Sequence, residues 1–108
     1  MANYLLQVTS RSVPGREADY DQWYSDIHIG DVLGVPGFEA CQRYKKLAQD
    51  HESFEEFVAM YEVETDNPAG LLQKLNGAAA NMRMTDAIDI SSVRFDFLLS
   101  NGERTAAK

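Results

Sequence analysis

Cysteine, proline and positive charge are all scarce in this chain. Cys41 is the only cysteine in 108 residues, so no internal disulfide can form, and a reducing, cytoplasmic home is expected. Lysine and arginine number 10 against 17 aspartates and glutamates, a formal charge of −7. Such a field repels phosphate backbones and anionic lipid heads, which argues against nucleic acid and membrane surfaces as partners. No apolar run approaches the roughly 20 residues that span a bilayer. The opening MANYLLQV has neither a basic leader nor a long apolar core, so no signal peptide is expected. GxGxxG, Walker, GxSxG and CxxC motifs are all missing. His28, His51, Cys41 and the aspartates show no compact ligand spacing, so neither a metal nor another cofactor is expected.

What remains is an ordinary globular composition, 44% hydrophobic and 25% charged. It predicts one domain over residues 1–102, followed by a flexible tail over 103–108. The most informative stretch is Tyr20 to Phe38, YDQWYSDIHIGDVLGVPGF. Read as a helix, it places Tyr20, Trp23, Tyr24 and Ile27 on one aromatic stripe, with His28 one turn beyond Tyr24. Acidic Glu17, Asp19 and Asp21 crowd the helix start and complement its dipole. The helix is expected to run to about His28, with Gly30 or Gly34 as terminator and a loose turn at residues 31–33.

Four strands flank two helices. Residues 4–10 alternate as a first strand, with Tyr4, Leu6 and Val8 sharing a face. Residues 38–47 form a second, with Phe38, Ala40, Gln42 and Tyr44 on one side and Cys41, Arg43, Lys45 and Leu47 on the other. Residues 54–64 form a third, with Phe54, Val58 and Met60 opposed to Phe57, Ala59, Tyr61 and Val63. Asn67-Pro68 is a capped helix start, followed by an apolar stripe through Leu71, Leu75, Ala78 and Met82 that Asn76-Gly77 is expected to weaken. Residues 90–99 complete the set, with Val93, Phe95, Phe97 and Leu99 on one face. The order β-α-β-β-α-β specifies an α+β, ferredoxin-like subunit: an antiparallel four-stranded sheet with two helices on one face. The third strand is apolar on both sides, so the uncovered face is expected to pair with a second copy in a homodimer.

Tyr20-x-x-Trp23-Tyr24-x-x-x-His28, followed by Val35-Pro36-Gly37-Phe38, Arg43-Tyr44 and FVAMYEVETDNPAG, resembles the dimeric α+β barrel superfamily, particularly its EthD-like branch. The likeness covers nearly all of residues 3–100. It implies a barrel closed by two sheets and a cleft between each sheet and its helices. The superfamily includes polyketide cyclases, muconolactone and methylmuconolactone isomerases, cofactor-independent monooxygenases and haem-degrading enzymes, so the fold constrains function weakly. One departure is His28-Ile29-Gly30, where the EthD-like pattern usually has proline two residues after the histidine. Glycine frees a backbone that proline would fix.

His28 is the leading catalytic candidate, because imidazole titrates near working pH; the competing role is a capping histidine. Tyr24 is its candidate partner, orienting a substrate carbonyl. Tyr20 and Trp23 are candidates to line the pocket, though packing against the sheet explains Trp23 as well. Tyr44 and Tyr61 can reach either the cleft or the dimer seam. Cys41 is a candidate by comparison with the methylmuconolactone isomerases, against an inert packing role. Arg43 can anchor a carboxylate or pair across the dimer, and His51 is expected in solvent. The expected function is cofactor-independent isomerisation, cyclisation or elimination of a small apolar or aromatic catabolic or polyketide-type intermediate. The alternatives are a non-catalytic binder of such a metabolite and a cofactor-independent monooxygenase.

Overall fold

The computed structural model describes residues 2–108. Strand β1 (Ala2–Ser12) leads into a helical rod of three joined parts: α1 (Glu17–Trp23), a π-helical turn (Tyr24–His28) and α2 (Ile29–Leu33). Strands β2 (Phe38–Leu47) and β3 (Phe54–Thr65) follow, then α3 (Pro68–Ala79) and β4 (Ile88–Leu99). The sheet order is β2-β3-β1-β4 with every neighbour antiparallel, the ferredoxin-like arrangement.

Local chemistry sets the joints. Gly15 takes a positive φ of 83° in the turn after β1, where the Val13 N–H donates to the Ala87 carbonyl and ties the turn to the start of β4. Gly37, in Val35-Pro36-Gly37, has φ 104° and lies so close to α3 that an added Cβ would fall 2.9 Å from Leu71 Cδ1. Its carbonyl accepts the Glu64 N–H at 2.9 Å, which fastens this corner to β3. Asn67 caps α3 by accepting the Gly70 N–H at 3.0 Å, with Pro68 just inside. In the β2–β3 connection, the Asp50 carboxylate accepts the backbone N–H groups of Glu52 and Ser53, and His51 is exposed.

The core lies between sheet and helices. Leu6, Tyr20, Tyr61, Val63 and Ala87 are almost wholly buried there, with Leu71 and Leu75 from α3. The first rod outruns its expected end at His28 by five residues and stops at Gly34, because Val32 is buried in the core and Gly30 stands in open space that strains nothing. Met82 lies beyond the end of α3, yet still packs against the core. The helix runs through Asn76-Gly77 without interruption.

Two register shifts correct the expected strand faces. One between Phe38 and Ala40 turns Phe38 inward, where its ring meets Tyr61 edge-on at 5.6 Å. Another, opposite Lys46 and Leu47, turns Phe54 to the same side as Phe57, with ring centroids 4.9 Å apart. Bulges break strict alternation, so period-two reading fails at those two phenylalanines. A third shift between Thr9 and Arg11 lets β4 start at Ile88 rather than Ile90. The far side of the sheet carries Leu5, Val58, Met60, Tyr44 and Leu98 beside Gln7 and Gln42. Glu56 is buried on that side beneath Arg94, which bonds both its carboxylate oxygens at 2.9 and 3.3 Å.

Candidate functional site

The π-helical turn is the local feature that builds the site. An α-helix repeats every 3.6 residues, so positions five apart point to different sides of it. A π turn spreads the chain to an i→i+5 repeat, and here it brings Trp23 and His28 into line. Their rings stack at 4.5 Å with 21° between planes. The Tyr24 ring meets the same imidazole edge-on at 4.8 Å.

Arg43, reaching up from β2, fastens this turn. Its guanidinium donates to Asp21 Oδ1 at 2.6 Å, Ser25 Oγ at 2.8 Å and the Asp21 carbonyl at 3.3 Å. It also lies 4.6 Å from the centroid of the Tyr24 ring and 5.4 Å from that of Phe57. On the other side of the rod, Asp31 holds Arg83 through a 2.7 Å ion pair and accepts its backbone N–H. The Trp23 indole N–H donates to the Arg83 carbonyl at 2.8 Å. The segment before β4 is thereby tied to the helical rod.

Between these clamps lies a cavity of about 350 Å³. Its walls are aliphatic and aromatic, from Val8, Val32, Leu75, Met82 and Val93 among others, and His28, Tyr24 and Tyr61 supply polar groups. The Tyr24 and Tyr61 hydroxyls are hydrogen-bonded to each other at 2.7 Å. Burial pushes both phenols well above their usual range, and in Tyr61 the neighbouring Tyr24 adds to the effect. Both hydroxyls are therefore protonated at neutral pH, and one of the two donates to the other. Ile90, Met84 and Phe95, which are 69%, 47% and 36% exposed, form an apolar rim. A wider and more open hollow of 630 Å³ at the other end of the sheet has carboxylates as its charged groups, from Glu39, Glu62 and Glu64, and no histidine.

Burial drives the His28 pKa down to about 4, against a smaller upward pull from Asp31. The imidazole is thus neutral at physiological pH. Its Nδ1 is buried without a hydrogen-bond partner among the described residues.

Of the other residues singled out in the sequence, Tyr61 alone joins Tyr24 and His28 in the cavity wall. Tyr20 is wholly buried behind it, its hydroxyl bonded to Ser10 Oγ and its ring stacked on Phe57. Trp23 backs His28 rather than lining the space. Cys41 is half-buried beside Tyr61, and burial raises its thiol pKa, the opposite of what an activated nucleophile needs. Arg43 is committed to Asp21, Ser25 and the Tyr24 ring, all within its own subunit. Tyr44 stands 49% exposed on the far side of the sheet. Ser10, the Met82–Met84 pair and Ile90 reach the cavity without having been marked in the sequence. Met82 alone belonged to a recognised apolar stripe. Among the described residues no three His, Cys, Asp or Glu side chains converge as a metal site.

A crystal structure of an ethyl tert-butyl ether d (EthD) family protein from Bacillus halodurans matches this architecture over 97% of the present chain and 100% of that one, with a TM-score of 0.54 and 12% sequence identity. The fold is EthD-like. At that identity the likeness speaks for the path of the backbone and leaves the chemistry to the side chains. No family model matches the sequence. No curated protein matches it either. Among the described residues no helix is long and apolar enough to cross a membrane.

Proposed function

We propose that this EthD-like chain is a small cofactor-independent enzyme that moves a proton on an apolar or aromatic carbonyl compound, in an isomerisation, cyclisation or elimination. The observation that carries the reading is one apolar cavity holding a neutral imidazole and a pair of protonated tyrosine hydroxyls. His28 takes a proton from the carbon beside the substrate carbonyl. The C–H electron pair moves into the carbonyl, and a Tyr24 or Tyr61 hydroxyl hydrogen-bonds the oxygen as its negative charge grows. Collapse of the enolate then returns the proton from His28 to another carbon, or expels a leaving group. Burial makes His28 a weak base on its own, but the imidazolium forms beside a developing anion that offsets its desolvation. We take the working unit to be a cytoplasmic homodimer of one-domain subunits joined through the far side of the sheet, where Leu5, Met60 and Leu98 lie.

The test is His28→Gln. Turnover should fall by about 10²- to 10⁴-fold while ligand affinity stays within a few-fold. Undiminished turnover would remove His28 from the mechanism. A second reading, a binder without turnover, draws on the lack of a hydrogen-bond partner at His28 Nδ1 among the described residues, since a working base is generally oriented by a bond from its second nitrogen. A protein that binds its ligand yet converts none of it, wild type and variant alike, would decide for that reading.

A further inference from the structure

We infer that the cavity selects an uncharged ligand bearing a hydrogen-bond-accepting oxygen, such as a mono- or bicyclic ketone or ester, and turns away the corresponding carboxylate. The inference rests on the cavity being the ligand site, but it does not require catalysis.

Among the described residues no Lys, Arg, Asp or Glu lines the space. The two guanidiniums that frame it are already spent, Arg43 on Asp21 and Ser25 and Arg83 on Asp31. His28 carries no charge at neutral pH. A carboxylate entering here would lose its hydration and meet no counter-ion, and the chain's charge of −7 opposes its approach.

The hydrogen-bonding groups of the lining are few and neutral. Two hydroxyls belong to the Tyr24–Tyr61 pair; one O–H is used on the other, and the second has only the Cys41 sulfur, a weak partner, to compete with an incoming acceptor. Ser10 Oγ is paired with the Tyr20 hydroxyl, Asn76 sits exposed at the edge, and the neutral His28 ring adds one N–H or one acceptor nitrogen. The volume, about 350 Å³, suits one or two fused rings, near the lower end for small-molecule sites. Apolar Ile90, Met84 and Phe95 at the rim favour a ligand that arrives already poorly hydrated.

The experiment is calorimetric titration of the full chain at pH 7.5 with three near-isosteric probes: 2-acetylnaphthalene, 2-naphthoate and 2-ethylnaphthalene. The ketone should bind at least about tenfold more tightly than the hydrocarbon and about a hundredfold more tightly than the carboxylate. An Ala79→Trp variant, which fills the cavity from the end of α3, should abolish ketone binding. A carboxylate within about threefold of the ketone would overturn the inference while leaving the cavity a ligand site. Equal binding of ketone and hydrocarbon would overturn the claim of a hydroxyl donor. Binding that survives Ala79→Trp, or no binding by any probe, would remove the cavity as the ligand site and the proposed function with it.

Discussion

Lowering the pH from 7 to 5 should destabilise this protein through one side chain, His28. Its pKa falls from an ordinary 6.5 to about 4 on folding, because the ring is buried against Trp23 and Tyr24 with little opposite charge nearby. Between those two values the unfolded chain binds a proton that the native state refuses. Stability is therefore fully present above pH 6.5, declines as the pH falls, and has lost its whole His28 contribution below about pH 4. Linkage over the window from pH 7 to 5 gives a loss of about 2 kcal/mol, and partial solvent access to the ring trims this to about 1–2 kcal/mol. Urea denaturation across that range, for wild type and His28→Gln, isolates the effect. Gln does not titrate, and charge changes common to both proteins cancel in the difference. Trp23, the sole tryptophan, provides a second readout: imidazolium quenches a stacked indole, so native fluorescence should fall with a midpoint near the folded-state pKa of about 4. Parallel stability curves for the two proteins would refute the claim that His28 is buried neutral.

Three further outcomes follow from the packing. Arg43→Met removes the group that bonds Asp21 and Ser25 and supports the Tyr24 ring, and should cost about 1–3 kcal/mol with a weaker near-ultraviolet dichroism of Trp23. Arg43→Lys should recover only part of both, because an ammonium lacks the planar fork; full recovery would show that charge alone suffices. Gly37→Ala forces a side chain into a positive-φ site 2.9 Å from Leu71, and should cost about 1–3 kcal/mol in thermal denaturation. A melting temperature within about one degree of wild type would contradict that strain. Leu75→Ala enlarges the cavity from α3 and should lower stability by about 2–4 kcal/mol in urea; a loss below about 1 kcal/mol would mean that the walls collapse to fill the space.

Hydrophobic period, turn chemistry and capping residues were enough to give the element order, the bounds of β2, the Asn67–Pro68 helix start and the ferredoxin-like sheet. Each of these is decided within a few neighbouring residues, so a single chain displays it. The aromatic stripe was equally legible, as was the meeting of Tyr24 with His28. Contacts between distant segments decided the rest. Bulges beside Phe38 and Phe54 rotate those rings into the core against the strand alternation, because Tyr61 and Phe57 offer them apolar partners there. The π turn, invisible to a 3.6-residue period, forms where Arg43 arrives from another strand to bond Asp21 and Ser25. That same guanidinium, available to a substrate in any linear reading, is consumed in placing the histidine. Local periodicity thus dictated which segments become strands and helices, while long-range packing chose which of their polar groups remain free to meet a ligand.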